Sequence, residues 1–262
     1  MLGRVAVHLE KEDADYLSYV RDITQRLNLT PHFIYLDEQD LLGDLFGIFS
    51  RPLEEKQSLL AQRVGEIFRD FTFQRLSGTK EENLTCLQEQ FDLLFVKYRR
   101  QLFGKSLPEW LLSEIEGLRL WVYKEGASPN IGKVCLPVDF SERSLKQVEF
   151  VETLRTFFPL EYQLIYAVNV SRLKGKLNDK DYRKSLADKQ EEVKHLYTDI
   201  FGQKEMKLVL LEGDPYREMV RYINGQDYHL VVVGRRGKGM RERIGSVSLH
   251  LIRSLKCPVV VL

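Results

Sequence analysis

HLVVVGRRGKGMRERIGSVSLHLIRSLKCPVVVL, residues 229–262, runs from an apolar segment through a glycine-punctuated basic loop and an amphipathic segment, Val247 to Ser254, into a second apolar run. The β-branched valines ahead of Gly234 read as a buried strand. Gly234, Gly237 and Gly239 follow directly, and Gly245-Ser246 opens the amphipathic segment. Small residues let backbone N–H groups approach an anion, and a helix start adds unpaired donors and a positive dipole end. The stretch therefore points to phosphate or nucleotide binding. It lacks the GxxxxGK[ST] spacing of a Walker loop.

The rest of the chain narrows the class. Among 262 residues, 39 Lys and Arg nearly cancel 38 Asp and Glu. No whole-molecule field then draws the protein to nucleic acid or membrane. No apolar run approaches the ~20 residues that span a bilayer, and Met1-Leu2-Gly3-Arg4 leads straight into a strand, so a cytoplasmic protein is expected. Cys86, Cys135 and Cys257 lie far apart without a histidine cluster, which argues against zinc and for reduced, packed thiols.

Short apolar runs alternate with longer amphipathic segments. In the first half, strands are expected at Val5–Leu9, His32–Leu36, Phe71–Leu76, Phe91–Val96 and Leu118–Tyr123. Helices fall between them: one through Tyr16, Val20, Ile23 and Leu27, one from Leu53 to Phe71 with Leu59, Leu60, Val64 and Ile67 on its inner face, then Glu81–Gln90 and Pro108–Glu116. Lys124 to Gly132 gathers Gly, Ser, Pro and Asn and reads as a linker. The pattern restarts with strands Val134–Val138, Gln163–Val168 and Met206–Leu211. A helix from Ser141 carries Leu145, Val148, Val151 and Leu154 on one face, and further helices cover Asp179–Phe201 and Pro215–Ile223.

The halves match element for element, with Gly3-Arg4-Val5 against Gly132-Lys133-Val134 and Lys97 standing where Gly234 does. Near-continuous apolar strands alternating with helices call for parallel sheets covered on both faces. The expected fold is α/β, two tandem doubly wound five-stranded parallel-sheet domains at 1–126 and 131–262, the first without the glycine motif.

Pro137-x-Asp139 after the first strand of the second half, followed by the strand, glycine loop, Gly-Ser and helix, resembles the universal stress protein family in tandem form. The resemblance implies an adenine-nucleotide site, with ATP or a related nucleotide as ligand and magnesium as its candidate counter-ion. By that resemblance Asp139 holds the adenosine end, the Val168 backbone meets the adenine edge, and Gly234, Gly237, Gly245 and Ser246 wrap the phosphates. Arg235 and Lys238 add charge beside the loop. The loop from Lys238 to Ile244 is shorter than the family's usual spacing, which leaves the preferred phosphate form open.

Each residue also has a structural reading: Asp139 and Ser246 stand where helix caps stand, and the glycines serve a tight turn. No nucleophile–base pair emerges. The expected role is regulation or stress response through nucleotide binding. A slow ATPase and a structural dimerisation scaffold are the alternatives. The family resemblance also implies that the fifth strands, Leu118–Tyr123 and the terminal Pro258–Leu262, pair as an internal pseudo-dimer, with a homodimer of chains left open.

Overall fold

The computed structural model describes residues 3–9, 13–35, 53–101, 104–169, 179–202, 204–235 and 245–262. The chain divides into two compact units, Met1–Pro129 and Asn130–Leu262.

The first unit carries β1 (Val5–His8), α1 (Ala14–Arg26), β2 (Pro31–Tyr35), α2 (Leu53–Ile67), β3 (Thr72–Arg75), α3 (Lys80–Gln90), β4 (Leu93–Lys97), α4 (Leu107–Glu114) and β5 (Arg119–Tyr123). Its strands lie in the order β3-β2-β1-β4-β5, all parallel. The second unit carries β6 (Lys133–Pro137), α5 (Glu142–Arg155), β7 (Glu161–Val168), α6 (Asp179–Phe201), β8 (Leu208–Glu212), α7 (Pro215–Asn224), β9 (Leu230–Val233), α8 (Ser246–Ser254) and β10 (Val259–Val261). Its order is β8-β7-β6-β9-β10, again parallel throughout. In both units the first strand therefore lies between the second and the fourth. Among the described residues no helix is long and apolar enough to cross a membrane.

The central strands are apolar on both faces because helices cover both. Val5, Ala6, Val7, Phe95, Val134, Leu136, Val231 and Val232 are all fully buried. Helix starts follow local chemistry. Asp13 accepts the Tyr16 N–H at 3.1 Å and Asp214 accepts that of Arg217 at 3.1 Å, while Thr79 and Glu82 close a capping box over α3. Asn28, at φ 53°, ends α1.

Several expected boundaries move. The third strand of the second unit starts at Leu208 instead of Met206, because the Tyr197 hydroxyl takes the Met206 N–H at 2.9 Å and removes it from the ladder. The helix expected to reach Phe71 stops at Ile67, and Phe71 instead packs edge-on against Phe33 with ring centroids 5.9 Å apart. Leu59, expected inside, is 40% exposed, whereas Leu60 and Val64 are buried. Leu36 lies outside the described residues.

The turn from β8 into α7 depends on Gly213, which has φ 138°, and a Cβ there would meet Glu218 Cγ at 2.9 Å. Gly213→Ala is expected to cost about 1–3 kcal/mol, the scale of a side chain forced into sparsely populated backbone space. Chemical denaturation of the two proteins measures it.

Candidate functional site

β6 and β9 are neighbours, paired at Val134↔Leu230 and Cys135↔Val231. From their C-terminal ends the chain departs in opposite directions, toward β7 through α5 and toward β10 through α8. Divergence of this kind leaves a crevice above the strand ends. A half-enclosed cleft of about 320 Å³ occupies it, lined by Pro137, Val138, Asp139, Tyr166, Ala167, Met219, Val233, Gly234, Gly245, Ser246 and Leu251 among others. That volume falls within the ~300–1,000 Å³ of small-molecule sites, and the mainly apolar wall with few polar groups is their usual composition.

Asp139 forms the rim on the α5 side. Its Oδ1 accepts from the Ser141 N–H at 3.1 Å, the Ser141 hydroxyl at 2.6 Å and the Ser144 hydroxyl at 3.1 Å. The carboxylate thus organises the start of α5 while lining the cleft. The next residue, Phe140, has φ 55°, is 1% exposed, and sits with its ring centroid 5.1 Å from that of Tyr166. Burial pushes the Tyr166 hydroxyl up, and the Glu192 and Asp139 carboxylates add to this against Lys189, so a neutral phenol faces the cleft.

On the opposite rim two of the expected phosphate donors, the Gly245 N–H and the Ser246 hydroxyl, already have protein partners. The Gly245 N–H donates to the Arg235 carbonyl at 2.7 Å, and the Arg235 N–H donates to the Leu262 carbonyl at 2.9 Å. The Ser248 hydroxyl donates to the Gly234 carbonyl at 2.7 Å, and the hydroxyls of Ser246 and Tyr216 share a hydrogen bond at 2.7 Å. The Gly245 and Ser248 contacts pin the start of α8 to the end of β9, and the Ser246 contact ties it to α7.

Of the sequence-derived set, the fold brings Asp139, Gly234, Gly245 and Ser246 together on the cleft wall. Val168 does not join them: it is 3% exposed and its carbonyl accepts the Gly213 N–H at 3.1 Å, while Ala167 and Asn169 reach the wall. Arg235 is buried and is not among the residues that line the cleft, and its backbone N–H continues the pairing toward Leu262. Gly237 and Lys238 lie outside the described residues.

Gln147 escaped the sequence reading. It is 2% exposed, and its Nε2 donates to the carbonyls of Pro137 and Val232, both at 2.9 Å, bridging the strand ends beneath the cleft. Its signal was a polar residue beside Val148 on the buried face of α5.

The sequence pattern of the universal stress protein family matches residues 130–262. The chain belongs to the universal stress protein family. A universal stress protein of Methanocaldococcus jannaschii is 30% identical over a 138-residue alignment that covers 49% of this chain and 80% of that one. Solved structures extend the fold to both units. A functionally unknown protein of Pseudomonas aeruginosa aligns with TM-score 0.69 and 15% identity over 99% of this chain and 92% of its own. A universal stress protein of Archaeoglobus fulgidus aligns with TM-score 0.64 and 14% identity over 98% and 95%.

In this universal stress protein the first unit handles the same position differently. Lys97 ends β4 where Gly234 follows β9, and its ammonium pairs with Asp13, the cap of α1, at side-chain exposures of 16% each. Tyr16, Tyr19 and Tyr123 pack beside the pair, with Tyr123 centroids 5.3 and 4.8 Å from those of Tyr16 and Tyr19. Burial alone would raise the Asp13 pKa; the Lys97 hydrogen bond, the Tyr16 N–H and the charges of Lys97 and Arg99 outweigh it and lower the value. A depressed folded pKa contributes stability above the unfolded carboxylate value, ~3.9, which is lost as pH falls through the folded value. Asp13→Asn is therefore expected to flatten the acid limb of the first unit's stability curve, read by denaturant melts between neutral pH and pH 3.

Proposed function

We propose that the second unit binds an adenine nucleotide in the cleft between the starts of α5 and α8, in a regulatory role under stress. The observation that carries this reading is the convergence, at one switch point, of an apolar slot and two helix N-termini. The slot suits a planar base, with Val138, Tyr166 and Met219 supplying apolar and aromatic surface. The helix starts suit negative charge. Asp139 offers a carboxylate on the rim for ribose hydroxyls. ATP, ADP and AMP are the forms to compare. Magnesium would enter with the phosphates: among the described residues no group of three or more His, Cys, Asp or Glu could hold a metal ion.

Selective binding to the folded chain raises its apparent stability, by about 2.7 kcal/mol at a ligand concentration one hundred times Kd. Thermal melting with saturating ATP, ADP or AMP is expected to raise the transition of the second unit. The rise should shrink in Asp139→Ala, which removes the rim carboxylate. No shift with any of the three would overturn the reading.

A further inference from the structure

We infer that the outer edge of β8 is an interaction surface for a second copy of this chain, the two strands pairing antiparallel across a two-fold axis. β8 closes one side of the second unit's sheet, and among the described residues β7 is the strand paired with it. The Leu164 N–H donates to the Lys207 carbonyl at 2.8 Å, and the Gly213 N–H donates to the Val168 carbonyl at 3.1 Å. Odd-numbered positions of this stretch therefore turn their backbone groups toward β7. Leu208, Leu210 and Glu212 turn theirs outward, as a template for another strand.

Such edges are usually blunted by lysine, proline, a bulge or shortness. β8 is not: Leu208, Val209, Leu210 and Leu211 run in unbroken register with β7, and all four are half-buried, leaving apolar surface along the edge. In β3, the edge strand of the first unit, Thr72, Gln74 and Arg75 are exposed polar residues instead.

Charge selects a second copy. Lys204 and Lys207 precede the apolar run, and Glu212 and Asp214 follow it. Antiparallel pairing lays the basic end of each strand against the acidic end of the other. Beside the basic end, an open groove of about 610 Å³ is lined by Lys194, Tyr197, Lys204, Met206, Lys207 and Leu208 among others, with Glu205 as its one carboxylate among the described residues. Lys194 already pairs with Glu191. With the axis on Leu210, Leu208 of each copy faces Glu212 of the other, and that carboxylate arrives at the groove beside Lys204 and Lys207. Five strand residues per chain fall short of the ~20–30 residues a side of standard interfaces, so the association is weak and concentration-dependent.

Sedimentation equilibrium of the full chain, from micromolar to near-millimolar concentration, tests this. A monomer–dimer equilibrium is expected. Leu210→Pro removes an outward N–H without taking one from the β7 ladder, and should abolish the dimer. Glu212→Lys, at an exposed position, should weaken it about tenfold, since ion pairs at both ends become repulsions. Adding Lys207→Glu to that variant should restore part of the loss. Thermal melts followed by circular dichroism show whether each variant is folded, and the charge variants decide the matter if Leu210→Pro is not. A chain that stays monomeric throughout, or a dimer indifferent to the changes at 210 and 212, would overturn the inference.

Discussion

Replacing Phe140 by glycine is expected to destabilise the second unit by less than replacing it by alanine. Both substitutions remove a ring that is 1% exposed and packs against Tyr166 and Phe201, with centroids 5.1 and 6.1 Å away. Loss of a buried phenylalanine costs about 3–5 kcal/mol. Residue 140 has φ 55°, however, a left-handed conformation that costs a residue with a Cβ about 1–2 kcal/mol. Glycine relieves that cost and alanine does not, so Phe140→Gly should sit roughly 2–4 kcal/mol below the unchanged protein and Phe140→Ala about 1 kcal/mol lower still. Equilibrium denaturation gives the order directly. The native chain holds phenylalanine in a strained backbone because packing outweighs strain, one residue after Asp139 on the rim. Ligand affinity should fall in both variants.

The second large effect belongs to Gln147. Its amide joins the ends of β6 and β9 through the carbonyls of Pro137 and Val232. In Gln147→Leu the shape is roughly kept, but two buried acceptors lose their donor, each at about 1–3 kcal/mol. A loss of about 2–4 kcal/mol is expected by denaturation. Because the strands meet beneath the cleft, the variant should also bind nucleotide more weakly even at temperatures where it is folded. Unchanged stability would mean that water or a backbone shift satisfies both carbonyls.

Much of the fold was legible because its signals are local. Valine and leucine runs, helical spacing, and caps such as Asp13, Thr79 and Asp214 depend on near neighbours in the chain, and the repeat of Gly3-Arg4-Val5 at Gly132-Lys133-Val134 supplied the domain count. Boundaries failed where a distant side chain intervened, as when Tyr197 withdraws Met206 from β8. At the site, Asp139, Gly234, Gly245 and Ser246 were readable because each stands at a fixed offset from a strand end. Gln147 was not, since a helix pattern shows which face is buried but not which carbonyl the face meets. Val168 and Arg235 are not among the residues lining the cleft, and their backbones pair with Gly213 and Leu262, partners that spacing along the chain does not reveal. The Lys97–Asp13 pair shows the same limit in the first unit, where the alignment marks the lost glycine but not the carboxylate that its replacement finds.

Isothermal titration of the full chain with ATP, ADP and AMP, carried out beside Asp139→Ala, tests the central claim most directly. Binding of at least one of them, at one site per chain and weakened in the variant, is the predicted result. Absence of heat with all three, together with no nucleotide carried through purification, would contradict it and leave the cleft without an adenine ligand.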